Sequence, residues 1–99
     1  MAENKVTDIA KAYANQVRKM METKEIILYG SHANGTATKN SDIDIAVIVD
    51  RIDTDYLSVV SKLWRLTRDI NDEIEPVLVI DGDDQSGFLQ TVKRTGIAV

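Results

Sequence analysis

The chain contains no cysteine, which excludes disulfide frameworks and thiolate metal sites. No apolar run approaches the roughly 18 residues of a membrane-spanning helix. Its first residues, Met-Ala-Glu-Asn-Lys-Val, lack the basic-then-apolar order of a secretory leader, so the expected address is cytoplasmic. Basic excess is missing too. Lysine and arginine number 12 against 16 acids, a net charge of -4. Affinity for a nucleic-acid backbone rests on neutralising phosphates, so strong nucleic-acid binding by this chain alone is not expected. A small anion held through a metal is still allowed. There is no Gly-Lys-Ser/Thr of a P-loop and no Gly-x-Gly-x-x-Gly. Asp81-Gly82-Asp83 opens like a calcium loop, but Ser86 and Val92 stand where glycine and glutamate are required.

What is present fits one domain over residues 1–99, large enough for one modest core. Residues 4–21 place Val6, Ile9, Ala10, Tyr13, Val17, Met20 and Met21 at helical spacing. Residues 24–30 read as a short buried strand ended by glycine. Residues 31–40 are small and polar, a turn with room for one helical turn. Residues 42–49 form a long β-branched strand. Asp53 or Thr54 is expected to cap a helix running to about Asn71, with an inward stripe of Leu57, Val60, Leu63, Trp64, Thr67 and Ile70. Trp64 and the first-helix methionines are expected in the core. Residues 74–80 are a third strand, and Pro76 near its start points to a sheet edge. A turn at residues 81–84 and a terminal helix from Ser86, using Phe88, Leu89 and Val92, complete the chain. The expected fold is α/β (α+β), a small mixed three-stranded sheet covered by helices.

The second long strand carries the argument. Alternate residues of a strand share a face, so Ile43, Ile45, Val47 and Val49 oppose Asp42, Asp44, Ala46 and Ile48. Beyond Asp44 both faces are apolar, so helices should cover both sides. The two aspartates are then exceptions at the start of a buried element. On one strand they lie about 6.6 Å apart, and two such charges repel by about 2.5 kcal/mol at an effective dielectric near 20. A partly closed cleft would want a cation; an open one would not. Oxygen-only ligands favour Mg²⁺ or Mn²⁺. Just upstream, Gly30 lets backbone approach a ligand closely, and successive amides with the Ser31 hydroxyl can nest a phosphate.

Gly30-Ser31, a turn of ten residues that ends in Ser41, Asp42-Ile43-Asp44 and the apolar strand that follows resemble the signature of the DNA polymerase β-type nucleotidyltransferase superfamily. The chain is most similar to its minimal nucleotidyltransferases (MNT-like), and the order of elements matches over most of its length. The resemblance implies that Gly30 and Ser31, with Ser41 and Lys39, bind a nucleoside triphosphate. It implies that Asp42 and Asp44 hold Mg²⁺ or Mn²⁺. A third carboxylate on the last long strand would complete the metal site and the catalytic set; Glu75 is the best match, with Asp72 and Glu73 as alternatives. The implied reaction moves a nucleoside monophosphate, from ATP first among triphosphates, to a hydroxyl, releasing pyrophosphate. The implied partner is a separately encoded all-helical (HEPN-like) protein, as in toxin-antitoxin modules. A homo-oligomer is compatible. The competing reading is a non-catalytic antitoxin that inhibits its partner by occlusion. Two departures stand out: His32 and Asn34 occupy turn positions where relatives often carry arginine, and Glu75 replaces the commoner aspartate.

Overall fold

A computed structural model of the chain describes residues 2–38, 40–82 and 87–99. The order is α1 (Ala2–Met20), β1 (Glu25–Tyr29), α2 (Ser31–Asn34), β2 (Ile43–Val49), α3 (Tyr56–Ile70), β3 (Ile74–Ile80), α4 (Phe88–Thr95) and β4 (Ile97–Ala98). The sheet runs β3-β2-β1-β4. β1 and β2 are antiparallel, with Tyr29 opposite Asp44. β2 and β3 are parallel, with Asp44 opposite Glu75. A parallel pair needs a crossover, and α3 supplies it. Pro76 sits on β3, an edge strand, where its missing N–H costs no sheet bond on the open side.

Two apolar layers follow from the alternation in β2. Ile43, Ile45, Val47 and Val49 join Ile26, Leu28, Ile74 and Leu78 beneath Ala10, Tyr13, Ala14 and Val17 of α1 and Val59 and Leu63 of α3. On the opposite face Ala46 and Ile48 pack with Ile27, Val79, Leu89 and Val92 of α4. The expectation of helices on both sides is met, unequally: two long helices cover one face and a helix of eight residues the other. That shortness leaves the Asp44 end of the second face uncovered. Between α1 and α3, the fully buried Tyr13 donates its hydroxyl to the carbonyl of Leu63 at 2.7 Å, and burial pushes the phenol pKa up. At the far end of the sheet Lys24 pairs with Asp81 and lies 3.7 Å from Asp50. Asp81 is therefore half of an ion pair rather than a merely solvated turn residue.

Several expectations need correction. A fourth strand, β4, pairs antiparallel with β1 through Ile27 opposite Ala98 and Leu28 opposite Ile97. Two residues show no periodicity, so the count of three missed it. Gly96 makes this return possible, since a Cβ there would lie 2.6 Å from the Val92 carbonyl and 2.9 Å from that of Leu28. The cap of α3 is Asp55, not Asp53 or Thr54; its carboxylate accepts from the Ser58 amide at 2.9 Å and hydroxyl at 2.7 Å. The buried stripe of α3 is Val59, Leu63 and Thr67, so Leu57 and Trp64 point to solvent. Met20 is also exposed. The terminal helix starts at Phe88; Ser86 and the aspartates at 83 and 84 lie outside the described residues.

Replacing Tyr13 tests the inter-helix bond. Tyr13→Phe should cost about 1 kcal/mol, the net worth of one hydrogen bond, and Tyr13→Ala about 3–5 kcal/mol through the cavity it leaves. Urea denaturation measures both. Equal stability of the alanine variant and the wild type would contradict the packing described.

Candidate functional site

β1 ends at Tyr29 and the chain turns at Gly30, whose φ of 77° and ψ of -151° belong to a region that residues with a Cβ avoid. Space forbids a side chain as well: a Cβ on Gly30 would sit 2.4 Å from Asp44 Oδ2 and 3.3 Å from Asp44 Cγ. The turn and the acid are therefore in direct apposition. The expected helical turn follows as α2. Its Ala33 and Asn34 amides donate to Gly30 O at 3.1 and 3.0 Å. The first amides of a helix have no carbonyl of their own, so those of Ser31 and His32 are the ones open to a ligand. Gly35 closes α2 in the left-handed conformation.

The remaining loop is braced by side chains. Thr38 donates its amide to Ser41 Oγ at 2.9 Å, and Ser41 returns its own amide to Thr38 O at 3.1 Å. His32 reaches across to Ser41 O, with Nε2 at 3.3 Å. It is half-buried and tied to the loop that delivers Asp42, not a free turn residue. Ile43 is then pinned from the other side, donating to Glu73 O at 2.8 Å. Ser41 thus spends its hydroxyl on the turn. Lys39 lies outside the described residues.

Three carboxylates meet at the uncovered end of the sheet. Asp44 and Glu75 are register partners on β2 and β3, and Asp42 lies just before β2. Glu75 is pushed above the ordinary glutamate pKa first by a hydrogen bond with Asp42, then by burial and by the charges of Asp42 and Asp44. Asp44 is pushed up by burial and by Asp42, with His32 pulling the other way. Asp72 and Glu73 stay exposed in the turn before β3; of the three candidate third acids, only Glu75 joins the group. Tyr29, opposite Asp44, completes the row, and its phenol is raised by burial and by Asp44 and Glu75. Its ring meets Phe88 edge-on, centroids 5.4 Å apart at 87°. Sequence reasoning missed Tyr29, because only the register of β1 against β2 sets it beside Asp44.

Asp42, Asp44 and Glu75 could hold a divalent cation. Their mutual repulsion is relieved by one, and all their donor atoms are oxygens. Among the described residues no three such side chains stand close enough together, as placed, to hold an ion by themselves. An open set suits Mg²⁺, which takes one or two carboxylates and completes its shell with phosphate oxygens and water. A cavity of about 320 Å³ lies elsewhere, at the other end of β1 against Arg18, Glu22 and Lys24, and shares no residue with this group.

The chain belongs to the polymerase beta nucleotidyltransferase family, whose model matches residues 4–99. Solved structures agree on the fold. A protein from Sulfolobus solfataricus provisionally described as a nucleotidyltransferase is 20% identical, with a TM-score of 0.71 over 97% of this chain and 80% of its own. A toxin-antitoxin structure with AMP-PNP is 25% identical, TM-score 0.60, over 99% of this chain and 72% of its own. A mutant of the toxin-antitoxin MntA-HpeT is 23% identical, TM-score 0.59, with the same coverage. No curated protein matches the chain. Among the described residues no helix is long and apolar enough to cross a membrane.

Two outcomes follow from the site's geometry. Asp44 binds its proton more tightly in the folded chain than in the unfolded one, so its ionisation opposes folding; wild-type stability is fullest below the unfolded pKa of about 4 and falls as pH rises through the folded value. Asp44→Asn should accordingly raise the melting temperature at pH 7, and the gain should shrink as pH falls below about 4. A lower melting temperature at pH 7 would contradict it. Gly30→Ala must strain the turn or displace Asp44, with a loss of about 1–3 kcal/mol measured by thermal denaturation; unchanged stability would refute the close approach.

Proposed function

We propose that this chain is a metal-dependent nucleotidyltransferase that passes a nucleoside monophosphate from a triphosphate, ATP first among them, to a hydroxyl acceptor. The observation that carries the reading is the row across the sheet in which Asp44 touches Gly30 on one side and is in register with Glu75 on the other, with Asp42 beside Glu75 and Asp44. Asp42, Asp44 and Glu75 would be the ligands of Mg²⁺ or Mn²⁺. When bound, the ion supplies positive charge to the attacking and leaving oxygens.

The chain's own groups do the rest. Ser31, through its hydroxyl and amide, and the His32 amide receive phosphate oxygens, as the start of a helix does. Gly30 leaves the backbone bare where the nucleotide's tail and Asp44 approach each other. The acceptor oxygen forms a bond to the α-phosphorus as the bond to the β-phosphate oxygen breaks, and the acceptor's proton passes to a carboxylate. Glu75 suits that role as the carboxylate on the neighbouring strand, in register with Asp44. Ser41 and His32 position Asp42 by fixing the loop before it.

The neighbours support the finer reading. One toxin-antitoxin structure holds AMP-PNP, an analogue of ATP. The MntA-HpeT mutant exchanges two aspartates that are two residues apart, the spacing of Asp42 and Asp44. We therefore place the acceptor hydroxyl on a separate helical, HEPN-like partner protein, in the cytoplasm. The rival, an antitoxin acting by occlusion alone, draws on the same two neighbours and needs none of the carboxylates.

Incubation with α-labelled ATP, Mg²⁺ and the product of the adjacent reading frame separates the two. Label should move to the partner, stop on chelation, and fall by roughly 10²–10⁴-fold in Asp44→Ala. Neutralisation of the partner that survives Asp44→Ala without any label would establish occlusion instead.

A further inference from the structure

Tyr29 brings to the carboxylate row a hydroxyl that the fold does not use. It closes β1 opposite Asp44, and Asp44 lies opposite Glu75, so the three side chains leave one face of the sheet from three neighbouring strands. Strands lie roughly 4.8 Å apart, which sets Tyr29 and Glu75 roughly 10 Å from each other with Asp44 between them. Burial first, and then the charges of Asp44 and Glu75, push the phenol pKa up. The half-buried hydroxyl is therefore near both acids, keeps its proton at neutral pH and can donate. Its ring is held edge-on against Phe88 at the start of α4, centroids 5.4 Å apart. Of the three tyrosines, Tyr13 and Tyr56 donate their hydroxyls to the carbonyls of Leu63 and Leu78. Among the described residues the Tyr29 hydroxyl has no such acceptor.

We propose that the Tyr29 hydroxyl is a further substrate contact, donating a hydrogen bond to the phosphate tail that departs as pyrophosphate. The inference rests on the transferase reading above and extends it to the leaving group. An in-line displacement puts the entering and departing oxygens on opposite sides of the α-phosphorus. Glu75, assigned to the acceptor's proton, stands at one end of the row. Gly30 and Ser31, assigned to the phosphate tail, follow Tyr29 directly in the chain, so Tyr29 marks the other end. As the bond from the α-phosphorus to its bridging oxygen breaks, the electron pair goes to that oxygen and negative charge builds on the tail. The phenol stabilises that charge by hydrogen bonding and keeps its own proton. It also brings no positive charge beside Asp44, as a lysine or arginine there would. Phe88 acts through the Tyr29 ring and is a positioning residue.

Binding without turnover tests the contact. Calorimetry in the presence of Mg²⁺ compares AMP-PNP, whose tail is complete, with AMP, which ends at the α-phosphate. Tyr29→Phe should weaken AMP-PNP roughly 10–100-fold, the range of a hydrogen bond to a charged group. It should leave unchanged the affinity for AMP, the binding of Mn²⁺ in the absence of nucleotide, and the thermal melt. Phe88→Leu, which frees the ring, should weaken AMP-PNP by a smaller factor and spare AMP. Equal weakening of AMP and AMP-PNP overturns the assignment, because the hydroxyl would then serve the nucleoside. Loss of Mn²⁺ affinity overturns it too, because the hydroxyl would then hold Asp44 or Glu75. Unchanged AMP-PNP affinity in Tyr29→Phe overturns it while leaving the transferase reading in place. A wild-type chain that binds no AMP-PNP with Mg²⁺ removes that reading and this contact together.

Discussion

Asp44 rests directly on Gly30, with no room between them for one carbon atom. Two requirements meet there. The backbone must turn sharply at the end of β1, and a carboxylate must stand beside the amides that follow the turn. Glycine alone satisfies both, because it accepts the conformation and leaves the space. The rest of the chain holds these two atoms groups in register: β1 pairs with β2 so that Tyr29 faces Asp44, and β2 pairs with β3 so that Asp44 faces Glu75. A slip of one residue in either pairing would send Asp44 into the apolar layer.

The fold tolerates this local repulsion because its stability is built elsewhere. The deeper core lies under α1 and α3, on the face of β2 that carries Ile43, Ile45, Val47 and Val49. The shorter α4 covers Ala46 and Ile48 and stops. Acids at the uncovered end are half-solvated rather than sealed, which keeps their ionisation affordable and leaves them reachable. The raised proton affinities of Asp44 and Glu75 record the residual strain. The chain belongs to the nucleotidyltransferase family, and a cation bound there, as proposed, would relieve that strain.

The strand-centred part of this architecture was legible in the residues. Strict alternation in β2 assigned each side chain to its face, Pro76 marked an edge, and the Gly-Ser turn with its two aspartates pointed to the site. What escaped has physical reasons. β4 is two residues held by backbone bonds to β1, and no side-chain pattern announces it. The inward face of α3 was drawn too wide because the helix has apolar residues on more than one side: Leu63 and Thr67 are buried as expected and Val60 and Ile70 pack against the core, but Leu57 and Trp64 were read as inward where Val59 is buried instead. Contact with Tyr13, whose hydroxyl seeks the Leu63 carbonyl, decides between them. The bracing of the loop by His32 escaped notice because its partner is a backbone carbonyl nine residues away, and a backbone acceptor leaves no mark in a sequence.

The central claim is that Asp42, Asp44 and Glu75 form one cation site facing the Gly30-Ser31 turn. Paramagnetic NMR with Mn²⁺ and a non-hydrolysable triphosphate reads it directly. The account requires broadening centred on the carboxyl carbons of these three residues and the amides of Ser31 and His32, abolished in Asp44→Asn. Broadening centred on Asp50, Asp53 or Asp81, or unaffected by that substitution, would contradict it.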